Sequence, residues 1–252
     1  MKFEGSNVIV TRPYKTVYRD GDRIIKVFKK EHGKANVFKE ALCHARVEES
    51  GLSIPPLLEV SQIDGQWALS IQYVEGDTLE HLMEVHPEKA DSYMEQFVDL
   101  QLSMHEKTAP LLPLQRDKYT SKINGLKDVL DATTRYELCT RLNAMPKHTK
   151  LCHGDFNPGN VMVKEDGTMM IIDWSHATSG NASGDAAITY LQFALKDPEL
   201  ANRYLNLFCK KSDTARQYVE NWLPIAAAVE LAKQIPEEKE FLLKWCNIID
   251  FQ

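Results

Sequence analysis

The stretch LCHGDFNPGNVMVKEDGTMMIIDWSHAT, residues 151–178, decides how the rest of the chain is interpreted. It holds a His-Gly-Asp run ending at Asp155, an amide at Asn160 five positions later, and an Ile-Ile-Asp-Trp run that contains Asp173. Two carboxylates and an amide can place oxygen ligands around one metal–phosphate centre. Phosphoryl transfer needs such a set, with one carboxylate for the acceptor hydroxyl and two oxygen ligands for Mg²⁺ on the nucleotide phosphates.

A hairpin is predicted to bring these three side chains together. The pair Asp166-Gly167 separates two apolar runs, 161–163 and 169–172. Asp-Gly between apolar runs is a strong signal for a tight turn. We therefore expect the second strand to return Asp173 to the side of the two polar residues that precede the hairpin.

The ordered set His-Gly-Asp-x-x-x-x-Asn followed by Ile-Ile-Asp-Trp resembles the aminoglycoside phosphotransferase family of small-molecule kinases, which share the protein-kinase fold. The resemblance implies that Asp155 is the catalytic aspartate and that Asn160 and Asp173 are the metal ligands. Trp174 stands after the metal aspartate, where protein kinases carry Phe-Gly, and this favours the small-molecule branch.

The resemblance also implies an α+β fold of two lobes. We expect residues 1–76 to form an N-terminal nucleotide-binding lobe, built from an antiparallel sheet plus one helix. Residues 77–252 are expected to form a mainly helical C-terminal lobe that holds the catalytic loop and the acceptor pocket.

Composition sets limits on the class of protein. The 252 residues are 43% hydrophobic and 26% charged, which is ordinary for a globular protein, and the net charge of −6 gives no reason to expect nucleic-acid binding. No apolar run is long enough to span a bilayer, and residues 1–5 do not begin a signal peptide. Five scattered cysteines without a Cys-x-x-Cys pair indicate reduced thiols in a cytoplasmic protein.

Short antiparallel strands are predicted at the start of the chain, where Val, Ile, Tyr and Phe alternate between tight turns. They cover Asn7–Thr11, Lys15–Arg19 and Arg23–Phe28. Lys26 lies on the same face as Ile24 and Phe28 of the third strand. A lysine there is costly without an anionic partner, and the resemblance places the phosphate-binding lysine at this position. The alternative is an edge-strand lysine directed to water.

A helix is predicted over residues 34–49. Its apolar positions recur at helical spacing: Phe38, Ala41, Leu42 and Ala45. Glu40 lies at the border of that stripe, where it could reach Lys26 and hold it on the phosphates, as in kinase-like folds. Glu48 and Glu49 at the helix end are the competing candidates.

Two further segments are expected to meet the nucleotide. Residues 12–16 contain no glycine, whereas protein kinases cover the phosphates with a glycine-rich loop, so we expect backbone amides and the Thr16 hydroxyl to hold the phosphates. A hairpin over 57–73 then leads into a stretch that resembles the hinge between kinase lobes. There the backbone of Tyr73 and Val74 would meet the nucleotide base.

The remaining chain is predicted to be mainly helical. Asp77 is expected to cap the first of these helices, and Tyr93, Phe97, Leu100 and Met104 to form one buried stripe, with His105 packing on the core at its end. Leu126 to Leu142 indicate a further helix or pair of helices. Residues 175–184 are interpreted as a polar loop, followed by helices that begin at Asp185, Asp197-Pro198, Ser212 and Pro236-Glu237. In the family, an aspartate at position 185 caps its helix and braces the catalytic loop.

Together these features predict a Mg²⁺- and ATP- or GTP-dependent kinase that phosphorylates a hydroxyl of a small molecule. Its acceptor could be aminoglycoside-, choline- or sugar-like. The alternatives are a protein serine/threonine kinase, which would need an Ala-Pro-Glu-like motif after Asp173, and a non-catalytic nucleotide-binding regulatory protein of the same fold. Residues 176–252 hold ten acidic against eight basic residues, so no strongly acidic pocket for polycationic acceptors is evident.

The helical segments 77–145 and 185–252 are expected to supply the acceptor pocket. Glu220 and Glu230 are interpreted as exposed acidic positions on these helices. The aromatic residues Tyr218, Trp222 and Trp245 could form a cage for a choline-like cation, but core packing is the preferred interpretation.

Overall fold

The computed structural model describes residues 7–246, and these form two compact units. The first unit runs up to Val85 and includes Pro158–Ala177. The second comprises His86–Asn157 and the chain from Thr178 onward. The hairpin that follows the His-Gly-Asp motif therefore packs with the first unit. The assignment of nucleotide and acceptor binding to residues 1–76 and 77–252 stays a prediction.

The strands and helices follow one another in an order typical of an α+β chain. The strands are β1 Val8–Thr11, β2 Lys15–Asp20, β3 Arg23–Phe28, β4 Leu57–Ile63, β5 Gln66–Gln72, β6 Asp77–Thr78, β7 Lys150–Cys152, β8 Val161–Val163, β9 Met169–Ile171 and β10 Thr178–Gly180. The helices are α1 Lys34–Glu48, α2 Leu79–Val85, α3 Ala90–His105, α4 Gln115–Gly125, α5 Ala132–Ala144, α6 Ala182–Ala194, α7 Pro198–Ser212, α8 Arg216–Glu220, α9 Leu223–Leu231 and α10 Lys239–Cys246.

The first unit is built on a five-stranded antiparallel sheet in the order β1-β2-β3-β5-β4. The predicted strands and hairpins of this sheet are confirmed. Lys26 lies on the central strand, where it pairs with Val17 on one side and Leu69 on the other. This position excludes the alternative of an edge-strand lysine, because both neighbouring strands are occupied.

Helix α1 is confirmed, and so is the burial of Ala41, but the predicted burial of Phe38 and Leu42 is wrong. Phe38 and Leu42 are 43% and 49% exposed, whereas Val37 and Ala41 are buried. The helix is turned so that Val37 and Ala41 pack on Phe28 and Leu69 of the sheet. Hydrophobic spacing alone could not distinguish the two faces, since both carry apolar residues at helical intervals.

The hairpin of the central motif is also confirmed. Strands β8 and β9 pair antiparallel, and β6 pairs with β8, giving a second, three-stranded sheet in the first unit. At the turn, Asp166 Oδ1 accepts a hydrogen bond of 2.8 Å from the Thr168 backbone N–H. The predicted cap of α2 is one residue early: Thr78 Oγ1, and not Asp77, accepts from the backbone N–H of His81.

The second unit is mainly helical, as predicted, with one short two-stranded sheet. Phe97 and Met104 are fully buried on α3, and the Phe97 ring stacks on Phe156 with centroids 4.4 Å apart. Tyr93 and Leu100, expected on the same stripe, are only half-buried, because the buried face passes through Met94 instead.

Three predicted boundaries in the second unit are wrong. Residues 175–184 are not a loop throughout, because β10 pairs antiparallel with β7 inside that range. Helix α6 is capped by Asn181, whose side chain accepts from the Ser183 N–H, and Asp185 lies in its first turn. Ser212 ends α7 and does not begin the next helix. The cap at Asp197 is confirmed by its hydrogen bonds to the first turn of α7.

Leu126 and Leu130 are buried, but they lie in the connection between α4 and α5. Asp131 caps the N-terminus of α5, where its side chain accepts a 2.8 Å hydrogen bond from the Thr134 N–H. The five cysteines have free thiols, and four of them are buried. No helix within residues 7–246 combines the length and apolar character that a membrane crossing requires.

Candidate active site

A cavity of about 670 Å³ lies in the first unit, and it holds most of the predicted nucleotide-binding residues. Apolar side chains of the sheet form much of its wall. The polar side chains that line it include Lys15, Lys26, Asn160 and Asp173. A mostly apolar cavity of this size with a few convergent polar groups is typical of a small-molecule site.

Lys26 is the centre of the polar group. Its Nζ lies 2.9 Å from Glu40 Oε1 and 3.0 Å from Asp173 Oδ1. Burial alone would lower the pKa of Lys26, but the carboxylates of Asp173 and Glu40 outweigh it and raise the pKa above its ordinary value. Lys26 is therefore a buried cation held by two anions.

Glu40 is the α1 carboxylate that reaches Lys26. Of the two alternatives, Glu48 instead accepts a short hydrogen bond from the Leu57 backbone N–H, and Glu49 is exposed near the end of the helix. The rotation of α1 that buries Val37 and Ala41 places Glu40 next to them, directed toward the sheet.

Asp173 is held in an unusual backbone conformation after β9. Its φ and ψ are 60° and 64°, the left-handed region that only a few non-glycine residues adopt. Burial would raise the pKa of its carboxyl, but Lys26 and then Lys15 outweigh that effect and hold the pKa well below its usual range. Backbone strain of this kind clusters at functional sites.

Asn160 is tied to the residue before Asp173. The Ile172 N–H donates to the Asn160 carbonyl over 2.9 Å, so the hairpin places the two predicted metal ligands side by side. Trp174 is buried and its indole N–H donates to the Ile171 carbonyl, which fixes the chain just after Asp173.

Sequence reasoning missed Lys15. Its Nζ lies 3.2 Å from Glu40 Oε1 and 3.7 Å from Asp173 Oδ2, so a second cation joins the cluster. The predicted Thr16 is not among the residues that line the cavity, because alternation along β2 puts Lys15 and Val17 on the cavity face. The same alternation, applied from Lys26 through its partner Val17, could have identified Lys15 from the sequence.

The predicted hinge residues Tyr73 and Val74 both line the cavity. The Arg19 guanidinium lies 3.9 Å from the centre of the Tyr73 ring, and the Tyr73 backbone N–H donates to Asp22. Gly76 follows with φ of 138°, and a side chain there would collide with the Val163 carbonyl.

Asp155 lies in the second unit, in a network that the sequence did not predict. Its Oδ1 accepts hydrogen bonds of 2.7 Å from both Gln192 Nε2 and Lys233 Nζ. Glu230 Oε2 lies 2.8 Å from the same lysine nitrogen. Glu230 is only 2% exposed, so the prediction that it is a surface residue is wrong. The other acidic position, Glu220, is paired with Arg216.

The loop before Asp155 is braced by a buried carboxylate. Asp185 accepts from the backbone N–H groups of His153 and Gly154, and its Oδ2 lies 3.0 Å from His105 Nε2. Burial would raise the pKa of Asp185, but the hydrogen bond and charge of His105 and the backbone N–H of Gly154 outweigh it and lower the pKa. The bracing geometry expected of this aspartate is thus present, and His105 is buried as predicted. No sequence pattern shows that these two are partners.

The possible aromatic cage is not assembled. Trp222 is 2% exposed and packs in the core. Its ring lies so close to Gly184 that a side chain at position 184 would collide with it. The Tyr218 hydroxyl accepts from the Asn181 amide, and Trp245 packs edge-on against Tyr190.

Comparison with solved structures shows the same fold. Aminoglycoside phosphotransferase APH(4)-Ia, in a thermostable mutant, superposes with a TM-score of 0.71 at 15% identity, over 96% of this chain and 92% of that one. The choline kinase LicA from Streptococcus pneumoniae superposes with a TM-score of 0.66 at 15% identity, over 95% and 94% of the two chains. At such identity the likeness establishes the kinase-like fold alone. No curated protein sequence matches the chain significantly.

The family comparison covers most of the chain. Residues 11–220 match the model of the phosphotransferase enzyme family, a range that includes the cavity cluster, the His-Gly-Asp loop and the hairpin after it. The protein therefore belongs to the phosphotransferase enzyme family.

Proposed function

We propose that the protein transfers the γ-phosphoryl group of ATP or GTP to a hydroxyl of an aminoglycoside-, choline- or sugar-like acceptor, with Mg²⁺. One observation carries the proposal: Lys26 and Asp173 line a cavity of about 670 Å³, and Lys26 contacts both Asp173 and Glu40. A buried lysine on the wall of such a cavity, held by two carboxylates, is suited to nucleotide phosphates.

The nucleotide is assigned to this cavity. Tyr73 and Val74 would meet the base at one end, while Lys26 and Lys15 would bind the phosphates at the other. Solved structures of APH(4)-Ia include a ternary complex with AMP-PNP and hygromycin B, with a TM-score of 0.70, which supports a nucleotide and a small-molecule acceptor here.

The residues present also fit Mg²⁺. Asn160 and Asp173 offer an amide and a carboxylate oxygen on the cavity wall, and hard oxygen ligands are what this ion takes. When bound, Mg²⁺ would neutralise charge on the phosphate oxygens. Asp173 already carries its negative charge, because neighbouring lysines hold its pKa low. Binding the ion therefore needs no deprotonation of this ligand.

Asp155 is proposed to bind the hydroxyl of the acceptor and to act as its general base. Its carboxylate would orient the acceptor hydroxyl and take its proton. The oxygen of that hydroxyl would form a bond to the γ-phosphorus, the bond from that phosphorus to the β-phosphate bridging oxygen would break, and the nucleoside diphosphate would leave with the electron pair. Most of the acceleration would come from positioning and charge stabilisation rather than from a covalent intermediate.

The two alternatives are less well supported. A protein kinase would need a peptide-docking segment after Asp173, and no Ala-Pro-Glu-like motif follows it. A purely regulatory nucleotide-binding protein would not require Asp155 and its partners Gln192 and Lys233, which form a network in the second unit.

The test is a transfer assay across acceptor classes. The protein is incubated with Mg²⁺ and either ATP or GTP in the presence of choline, hygromycin B, neutral hexoses and polyols, or a generic protein substrate. We expect mass spectrometry to find a phosphomonoester of at least one small molecule. Phosphorylation of the protein substrate alone, or nucleotide binding without any transfer, would overturn the proposal.

A further inference from the structure

Lys233 lies just beyond α9 and joins two carboxylates that come from different parts of the second unit. Its Nζ is 2.7 Å from Asp155 Oδ1 and 2.8 Å from Glu230 Oε2, and its side chain is 19% exposed. Gln192 Nε2 bridges the same two oxygens, at 2.7 Å and 3.0 Å. The side chains of Asp155, Gln192, Glu230 and Lys233 thus form a closed ring of contacts that includes the carboxylate of the proposed catalytic residue.

The ring is anchored by Glu230. This carboxylate is 2% exposed, and a buried charge is stable only when it is paired and hydrogen-bonded. Lys233 and Gln192 both donate to Glu230 Oε2, so moving either side chain would remove one of the two partners of this buried carboxylate. The anchor therefore limits where the Lys233 ammonium can go, and through it the position of Asp155.

The backbone around Lys233 is fixed as well. The Lys233 N–H donates to the Glu230 carbonyl over 2.8 Å, and the next residue, Gln234, has a φ of 58°. A non-glycine residue in this region carries strain that the surrounding structure must maintain. The tight turn at the C-terminal end of α9 also offers partial negative charge to a cation there.

Other charged groups face the same lysine. Lys122 of α4 donates to the Val229 carbonyl, and burial, followed by Lys233, lowers its pKa despite the opposing effect of Glu230. Glu238, in the 236–238 turn, has a raised pKa because of burial and then of Glu230. For Lys233 itself, Glu230 and Asp155 outweigh burial and raise the pKa above its ordinary value. The two carboxylates therefore favour the protonated form of Lys233.

We propose that Lys233 is a positioning residue for phosphoryl transfer: it fixes the Asp155 carboxylate through Oδ1 and places a positive charge beside it. The inference rests on the proposed function, in which Asp155 receives the acceptor proton. Since misplacement of a reacting group by about 1 Å can reduce a rate on the order of 100-fold, loss of this contact should affect turnover and not nucleotide binding.

Four variants separate this role from a structural one. Lys233→Met removes the charge and keeps the bulk, and Lys233→Arg retains the charge. The double variant combines Lys233→Met with Glu230→Gln, which removes the buried charge that the single variant would leave without its cation. If Lys233→Met alone unfolds, the double variant still reports the effect of losing the lysine. Lys239→Met is the matched control, because Lys239 is an exposed lysine six residues further along the chain.

The probe is Mg·ATP, or Mg·GTP if only GTP binds, with water as the phosphoryl acceptor. Phosphate release gives the rate, and calorimetry gives the nucleotide affinity. We expect Lys233→Met and the double variant to release phosphate on the order of 10- to 100-fold more slowly, with ATP affinity within about 2-fold of wild type. Lys233→Arg should recover part of the rate. The acidic limb of the pH–rate profile should move to higher pH in Lys233→Met, because a neighbouring cation favours the ionised carboxylate. Lys239→Met should show none of these changes.

The outcomes distinguish the two proposals. If wild type hydrolyses ATP and the double variant keeps both the rate and the pH profile, the role of Lys233 is refuted while the proposed function stands. If wild type hydrolyses neither ATP nor GTP and transfers phosphate to no member of the acceptor panel, the proposed function fails and this inference fails with it.

Discussion

Lys26 Nζ lies 3.0 Å from Asp173 Oδ1, although 147 positions separate the two residues in the chain. The contact joins the central strand of the five-stranded sheet to the end of the hairpin that follows the His-Gly-Asp loop. Both residues belong to the first unit, so the proposed phosphate and metal groups are assembled within one compact body. The ion pair is thus one of the contacts between the hairpin and the sheet.

The first prediction concerns Lys26. Replacing it by methionine leaves the two carboxylates of Glu40 and Asp173 with one cation, Lys15, so nucleotide phosphates would meet net negative charge. We expect turnover to fall on the order of 10²- to 10³-fold, the usual effect of removing a preorganised charge-stabilising group. Lys30→Met, at an exposed lysine four residues later, is the control. Equal steady-state rates for the two variants would show that Lys26 does not stabilise the phosphates.

The second prediction distinguishes Lys15 from Thr16. Because Lys15 lies 3.2 Å from Glu40 Oε1 on the cavity wall, Lys15→Met should weaken ATP binding about 10-fold, an effect that shrinks as salt is raised. Thr16→Val should leave ATP affinity unchanged, since Thr16 does not line the cavity. Titration calorimetry at two salt concentrations measures both. If Thr16→Val alone weakened ATP binding, the Thr16 hydroxyl and not Lys15 would be the group that binds the phosphates.

The third prediction concerns Gly76. Its φ of 138° disfavours any side chain, and a Cβ would collide with the Val163 carbonyl. Gly76→Ala should therefore destabilise the fold by about 1–3 kcal/mol from backbone strain alone, and more where the collision cannot relax. Gly125→Ala, at a helical glycine with open space around it, should be neutral or stabilise by up to about 1 kcal/mol. Urea unfolding compares them, and an alanine at 76 as stable as wild type would contradict the structure.

The fourth prediction is a pH dependence from Asp185. Its pKa in the folded state lies below the unfolded value of 3.8, so its stabilising effect is fully present above that value and is lost as the pH falls through the lower folded pKa. Asp185→Asn should cost about 3 kcal/mol at neutral pH, because His105 and two backbone N–H groups lose a charged partner. Wild-type and variant melting temperatures should converge as the pH falls below about 4.

Asp99→Asn provides the control for that experiment. Asp99 pairs with Lys211 at the surface, with 60% of its side chain exposed, so its loss should cost about 0–1 kcal/mol at any pH. A pH-independent gap between wild type and Asp185→Asn would show that the charge of Asp185 does not stabilise the fold.

The first unit was largely predictable from local signals. Tight-turn pairs such as Asp64-Gly65 and Asp166-Gly167 set the hairpins, and alternation placed Lys26 on an inward face. The rotation of α1 was not predictable, because apolar residues occupy both candidate faces and only packing on Phe28 and Leu69 selects between them. Strand pairing could have placed Lys15 on the cavity face. Because residues 12–16 lack the glycines of a phosphate-binding loop, we considered only the Thr16 hydroxyl and the backbone there.

The second unit was less predictable for a physical reason. The partners of Asp155 come from residues far along the chain, Gln192 and Lys233, with no motif to mark them. Glu230 was expected at the surface because a lone glutamate on a helix is usually solvated. Its burial depends on two partners that only the tertiary structure brings to it.

The most direct test of the central claim compares wild type with Asp155→Asn. Both proteins are given Mg·ATP and the acceptor panel described above, and phosphorylated product and ATP affinity are measured on the same preparations. We predict that Asp155→Asn binds Mg·ATP like wild type but transfers phosphate about 10²- to 10⁴-fold more slowly, as expected when a general base is lost. Transfer at the wild-type rate by Asp155→Asn would contradict the account.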